Sequence, residues 1–354
     1  MPASEPGIRG SLLDVVFIAY IVIELYRSGF PPVAWPADNS LPNRRAVSFL
    51  HPLGVRMPYP LPASAEEELE AFEFICETSG PGRRHISDFI AEHGGLPSSA
   101  LPSALGSFSD DARMAEIHDI LSSRRGSFSF STLGMPGFPD GLMQQEDPLP
   151  VIYHKGSLSL LSGRCICVAG TRQPGLLSIS AAWRIGHALA AHGFTVASGL
   201  AVGVDAASAV AAIDAGGRVV GAIGTPIDIV YPQENAHLFG EVSDQGLLMS
   251  QVPLCLYAHQ RSDARKSYFL DRNELLATIS EAVVIVQAGE RGGSAATAKS
   301  AVSHGKKLLL LPSVAENTSW GRNYVSTGKA AIARNVSEMI SALEAHKSRD
   351  RLVV

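Results

Sequence analysis

The stretch Arg164-Cys165-Ile166-Cys167-Val168-Ala169-Gly170-Thr171-Arg172 decides the fold. An apolar run of this length, broken by a glycine and followed by helical periodicity, reads as strand, turn and helix. The unit recurs. Phe194 to Ala197 leads into Ser198-Gly199-Leu200-Ala201-Val202-Gly203-Val204-Asp205, and Arg218 to Ile223 into Gly224-Thr225-Pro226-Ile227-Asp228. Leu247 to Met249 follows, then Ala282 to Val286 before Gly292-Gly293-Ser294, and Lys307 to Leu311 before Pro312. Strands alternating with helical segments imply right-handed crossovers and an α/β fold with a doubly wound, mostly parallel sheet covered on both faces. Ligands of such sheets sit beyond the carboxyl ends of the strands. The glycines and small polar residues of this chain gather there.

Outward from that core, 354 residues give room for one large domain or two ordinary ones, and a 46% hydrophobic content supports a sizeable interior. The formal net charge is −5, so a nucleic-acid site must be a local basic patch on an acidic body. The four cysteines show no C-x-x-C spacing; Cys165 and Cys167, two apart on a strand, share one face and read as core. The expectation is a reduced, cytoplasmic protein. Leu12 to Tyr26 is apolar, but it contains Asp14 and Glu24, is shorter than a membrane span and lacks a basic lead. It reads as a buried helix.

Residues 1–110 differ in texture and are expected to form a smaller, mainly helical N-terminal region. Prolines interrupt Phe30 to Ala63, whereas Ala65 to Thr78 has helical periodicity with an acidic start at Glu66, Glu67 and Glu68. Ile86 to Glu92 repeats the pattern. Such helices suit a lid, a dimerisation element or a helix-turn-helix. Pro97 to Asp111 is rich in Ser, Pro and Ala and reads as a linker; residues 111–133 are likewise assigned as linker to a domain covering 134–354. Ser319 to Asn323 reads as a loop, with a last helix from Val336 to about His346.

Four strand-end loops carry candidate chemistry. Gly170-Thr171-Arg172 offers backbone N–H groups at a helix start and a planar guanidinium, both suited to phosphate, although a tight turn with a surface arginine has the same residues. Gly199 and Gly203, with Ser198, allow a ligand close to the backbone or a helix tight against the strand; Asp205 is expected to orient that loop by hydrogen bonds. Gly224 and Asp228 mark a third loop, continued by Tyr231-Pro232 and Asn235. Gly293, Ser294 and Thr297 mark a fourth, with Ser294 or Thr297 as candidate helix caps and phosphate donors. Between the last two, Arg261, Arg265, Lys266, Tyr268, Phe269, Arg272 and Asn273 interleave cations with rings, as a single strand requires and as a mobile surface loop also permits. No G-x-S-x-G, H-E-x-x-H or Walker pattern occurs, and the eleven histidines lack ligand spacing. No catalytic group, metal or cofactor is assigned.

The order of these pieces resembles the DNA-processing protein A (DprA/Smf) family. The likeness begins at Phe138-Pro139 and Asp147-Pro148, then Tyr153-x-Lys155-Gly156. It continues through the four loops, with Tyr231-Pro232-x-x-Asn235, and through Arg272-Asn273, Gly293-Ser294-x-x-Thr297-Ala298 and Gly321-x-Asn323. It covers about residues 130 to 345. The resemblance implies an extended Rossmann-like fold, cooperative binding of single-stranded DNA, a homodimer, and loading of the RecA recombinase during natural transformation. By position, Gly170, Thr171, Arg172, Ser198, Gly199 and Arg272 would line the phosphate pocket, with Lys266 near a basic position.

Two departures stand out. Ser250-Gln251-x-Pro253 replaces Ser-Glu, and Phe269-Leu270-Asp271-Arg272-Asn273-Glu274 ends in an acid where the family has Arg. Glu274 is expected to weaken DNA affinity. An alternative reading is a nucleotide sensor or nucleotide-processing enzyme on the same scaffold. Gly292-Gly293-Ser294 loosely resembles a loop of cytokinin-activating phosphoribohydrolases, but Arg291 stands where they have Pro.

Overall fold

Nine strands make one sheet in a computed structural model of the chain, which describes residues 49–50, 56–57, 64–79, 82–106, 111–133, 138–143 and 150–350. The expected helix from Leu12 to Tyr26 lies outside them. The strands are β1 (Ser129–Thr132), β2 (Val151–Gly156), β3 (Cys165–Ala169), β4 (Thr195–Ser198), β5 (Val219–Ile223), β6 (Leu247–Ser250), β7 (Ala282–Ile285), β8 (Lys307–Leu310) and β9 (Ala331–Ile332). Their order is β9-β8-β7-β3-β4-β5-β6-β2-β1. Pairings from β9 to β6 are parallel, while β2 and β1 extend the sheet antiparallel.

The apolar runs are continuous because these strands are buried on both faces. Alternation still sorts them. Ile166 and Val168 join the core on one face, and Cys165, Cys167 and Ala169 the core on the other. The first face is covered by α5 (Leu176–Ala191), α6 (Val204–Asp214), α7 (Ala236–Gln245) and α13 (Val336–Asp350); the second by α9 (Ser267–Ile279), α10 (Gly293–Ser303) and α11 (Pro312–Asn317). All four cysteines are buried and unpaired. Among the described residues no helix is long and apolar enough to cross a membrane.

The chain lays β3 to β6 in one direction, then returns to place β7 beside β3 and continues outward to β9. The order therefore reverses between β3 and β7. That boundary opens a crevice at the carboxyl edge of the sheet.

The helices ahead of the sheet are α1 (Ala65–Thr78), α2 (Arg83–Glu92), α3 (Pro97–Leu105) and α4 (Asp111–Ser123). Ser64 caps α1, its Oγ accepting from the Glu67 amide at 3.1 Å, and three glutamates occupy the positive first turn. Leu69, Phe72 and Ile75 of α1, with Ile86 and Ile90 of α2, enter the same core as Tyr153, Val196 and Ile223 of the sheet.

Three expectations change here. Pro97 to Leu105 is a helix that opens on a proline, whose missing N–H has no helical partner to lose at that position. Residues 111–133 hold α4 and the edge strand β1, not a linker, because Ile117 is buried against Phe74 and Cys255 and β1 pairs with β2. Ser319 begins α12 (Ser319–Ser326), since the Thr318 hydroxyl accepts from the Gly321 amide at 3.0 Å and caps it.

Candidate nucleic-acid interface

Three helices start directly behind the strand ends: α5 after β3, α6 after β4 and α10 after β7. Their cap positions are Gly175, Gly203 and Gly292, and none has a side-chain cap hydrogen bond. The α5 and α10 starts face the same edge, a setting that favours an anion; at α6 the Val204 and Ala206 amides already donate to the Thr171 and Ala201 carbonyls at 3.3 and 3.1 Å. Ser294 and Thr297 are not caps, contrary to expectation. The Thr297 hydroxyl is buried and donates back to the Gly293 carbonyl at 3.0 Å, while Ser294 is half-buried.

The β3 and β4 loops are locked together. Gly203 has φ of 91°, and a Cβ there would meet the Thr171 carbonyl at 2.6 Å, so only glycine fits this approach. Gly199 lies against Arg272: a Cβ would come within 2.3 Å of its Nη1. Leu200 between them holds φ of 52°, a left-handed conformation stabilised by full burial and by Asn235 Nδ2 donating to its carbonyl at 2.9 Å. Ser198 is buried, its hydroxyl donating to the Asp205 carbonyl at 3.2 Å and accepting from the Leu200 amide at 3.2 Å.

Asp205 and Arg272 form the electrostatic centre. Burial pushes the Asp205 carboxyl up, opposed by Arg272, by the backbone N–H groups of Gly170 and Ala201, and by Arg172. Burial likewise pulls the Arg272 guanidinium down; Asp205 opposes that and Arg172 adds to it. Arg272 is only 8% exposed. Its Nη1 donates to the carbonyls of Gly199 at 2.5 Å and Ala222 at 3.2 Å, and its Nε to Asn273 Oδ1 at 3.2 Å. Asn273 in turn reaches the Gly293 carbonyl at 3.4 Å, tying α9 to the α10 start.

Arg172 is exposed. Phe269 lies between the two arginines, its ring centroid 5.8 Å from Arg172 Cζ and 5.9 Å from Arg272 Cζ, and Tyr231 meets it edge-on at 5.8 Å. Phe269 also packs over Gly224, where a Cβ would lie 2.8 Å from its ring. The mouth therefore pairs one outward cation with two rings.

Other expected residues are placed elsewhere. Asp228 pairs with Arg124 at the end of α4, at 3.0 Å. Arg265 stacks on Tyr257 at 4.3 Å, and Lys266 is exposed ahead of α9. Glu274 lies 3.8 Å from His304. Gln251 is buried with both amide atoms unpartnered, beside a cavity of about 100 Å³ that Arg272 and Tyr268 also line.

Sequence reasoning missed Gln287. Its carbonyl accepts from the Thr171 amide at 2.9 Å and its Oε1 from the Gly175 amide at 3.3 Å, bridging the crevice. Its signal was position alone: it follows the apolar run that borders the order reversal. Glu290, the acid nearest this loop, is engaged by Ser319, whose N–H and hydroxyl donate at 2.8 and 2.6 Å and hold its carboxyl low.

With this geometry in hand, the model of the family described as DNA recombination-mediator protein A matches residues 129–344. Protein Smf of Synechocystis is 31% identical over 189 residues, 52% of this chain and 46% of that protein. DNA processing protein DprA of Bacillus subtilis is 32% identical over 176 residues, 49% of this chain and 57% of that protein. The chain thus spans about half the length of these curated relatives. Among solved structures, DNA processing protein A from Helicobacter pylori, studied for its single-stranded DNA binding mode, aligns with a TM-score of 0.53 at 26% identity, over 62% of this chain and 97% of that one. DprA from Streptococcus pneumoniae shares the fold with a TM-score of 0.61 at 22% identity, over 77% and 97%.

Proposed function

The chain belongs to the DNA recombination-mediator protein A family, and from that premise we propose that it binds single-stranded DNA along the carboxyl edge of its sheet. The observation that carries this reading is the exposed Arg172 beside the Phe269 ring at the turn from β3 to α5, with glycine-led helix starts behind the adjacent strands β3 and β7. Phosphates rest on the first-turn amides of α5 and α10, behind Gly175 and Gly292, and Arg172 supplies the direct cation, while the Gly170 and Thr171 amides serve Asp205 and the Gln287 carbonyl. Arg272, Asp205, Ser198, Gly199, Gly203, Gly224 and Asn273 hold the loops in place. Phe269 and Tyr231 offer rings to bases, and Lys266 extends the cationic side.

Binding without a covalent step is the whole of the assigned activity. In its cellular role the protein protects incoming strands in the cytoplasm and hands them to a RecA-type recombinase in natural transformation, acting as a homodimer.

The test is fluorescence anisotropy with labelled oligo-dT of increasing length, at two salt concentrations, with duplex as competitor. Affinity should rise with length, fall steeply with salt and resist duplex. No binding at low salt overturns the reading. Tight mononucleotide binding without length dependence would favour a nucleotide sensor instead.

A further inference from the structure

Helix α5 carries two unlike stripes. Ala182, Ile185, Gly186 and Leu189 are buried against the body of the protein. The opposite stripe, spaced as one helix face, is Leu176, Ser180, Trp183 and His187, all exposed. Leu176 and Leu177 are 89% and 87% exposed, directly beside the Gly170-Thr171-Arg172 turn. One helix face about 10 Å long separates them from Trp183, which remains 43% exposed.

Trp183 opens on a cavity of about 500 Å³, within the range of a ligand site. Its floor is Ile185, Leu311, Ala333 and Met339; its rim is Trp183, His187, Arg184 and Arg334. Trp183 stacks on His187 with ring centroids 5.3 Å apart and planes 27° apart, which orders the indole. Among the described lining residues none is acidic. Glu338 accepts from the Arg334 amide at 3.0 Å and from Asn335 Nδ2 at 3.1 Å at the start of α13, and its carboxylate lies 3.9 Å from Arg334 Nη1 in an exposed pair that solvent screens. An apolar floor, an ordered indole and a cationic rim together suit a planar ring attached to an anion.

We propose that this cavity is a second base-binding station, in which a nucleotide of the same single strand stacks on Trp183 with its phosphate between Arg184 and Arg334. The strand leaves the Arg172 turn, crosses Leu176 and Leu177, and descends the exposed face of α5. This inference rests on the single-strand reading above and adds a path and a direction to it. Stacking on an aromatic side chain is sequence-tolerant, because every base has a π-face.

The experiment combines oligo-dT anisotropy with intrinsic tryptophan fluorescence on the full chain. Trp183→Ala should weaken long oligomers about tenfold, with the deficit opening only once an oligomer is long enough to reach from Arg172 to the cavity. Trp183→Phe should recover most of that loss, which a purely structural role would not produce. Arg184→Glu with Arg334→Glu should deepen it and flatten the salt dependence. Long oligomers should quench wild-type fluorescence, and Trp183→Phe should remove the quench. If Trp183→Ala matches wild type at every length, the station is overturned while binding at the loops stands. If wild type binds no oligomer at low salt, both fall.

Discussion

Two carboxylates buried near the strand ends, Asp205 and Glu73, meet the cost of desolvation in different ways. Asp205 faces a guanidinium, Arg272, and the backbone of two loops. Glu73, on α1, faces donors without a cation. It accepts from the Tyr153 hydroxyl of β2, from the Leu254 amide at 2.8 Å and from the Cys255 amide at 3.0 Å, at the start of α8 (Leu254–His259). Burial pushes its carboxyl up, and those three bonds oppose the rise. The first carboxylate organises the proposed strand-binding edge; the second fastens the helical region to the sheet. His259 with Glu77 and Arg124 with Asp228 reinforce that seam at 3.0 Å each. The difference assigns separate duties: Arg272 is neutralised inside, which leaves Arg172 as the outward cation, while the seam carries stability alone.

The sharpest way to break this contrast is Asp205→Ala. Leaving Arg272 buried without its carboxylate should cost about 3–5 kcal/mol in urea unfolding and abolish oligo-dT binding. A loss below ~1 kcal/mol would show that the pair is not coupled. Glu73→Leu should cost about 3 kcal/mol by stranding three buried donors, with oligomer affinity of the folded protein intact. Weakened binding at unchanged stability would erase the distinction between edge and seam.

Arg172→Glu inverts the pattern: affinity should fall about a hundredfold, near 2.7 kcal/mol, while the unfolding midpoint moves by less than ~0.5 kcal/mol. The smallest effect concerns His154, next to Tyr153 on β2. Burial holds its imidazole below the ordinary 6.5, opposed by a bond to the Gly156 backbone. Its contribution is full above that value and is lost as pH falls through the folded value, because the unfolded chain takes the proton first. Thermal unfolding of His154→Gln should therefore decline less than wild type in the window just below pH 6.5.

Much of the edge is legible in the sequence. Cys165 to Arg172 announced a strand, a turn and an anion-suited helix start, and the alternation within that strand sorted Cys165 and Cys167 onto one face. Composition misled where packing dominates. Pro97 to Leu105 looked like linker, yet proline at a first helical position keeps the helix intact. Residues 111–133 looked like a linker because β1 is an edge strand of mixed polarity whose order comes from pairing with β2. Ser294 and Thr297 had cap-forming side chains, but the glycine before them took the cap position.

The sequence by itself determined the alternating strands and helices, the glycine turns at their ends and, through their order, membership of a family. These are local properties, written in periods of two and 3.6 residues and in which side chains permit a tight turn. Only the tertiary structure decided that β7 returns beside β3, that Gln287 bridges the resulting crevice, that Arg272 faces inward while Arg172 faces out, and that Glu73 receives an amide 181 residues away. Whether a charge is buried, and against what, depends on partners distant in the chain. No local pattern encodes that choice.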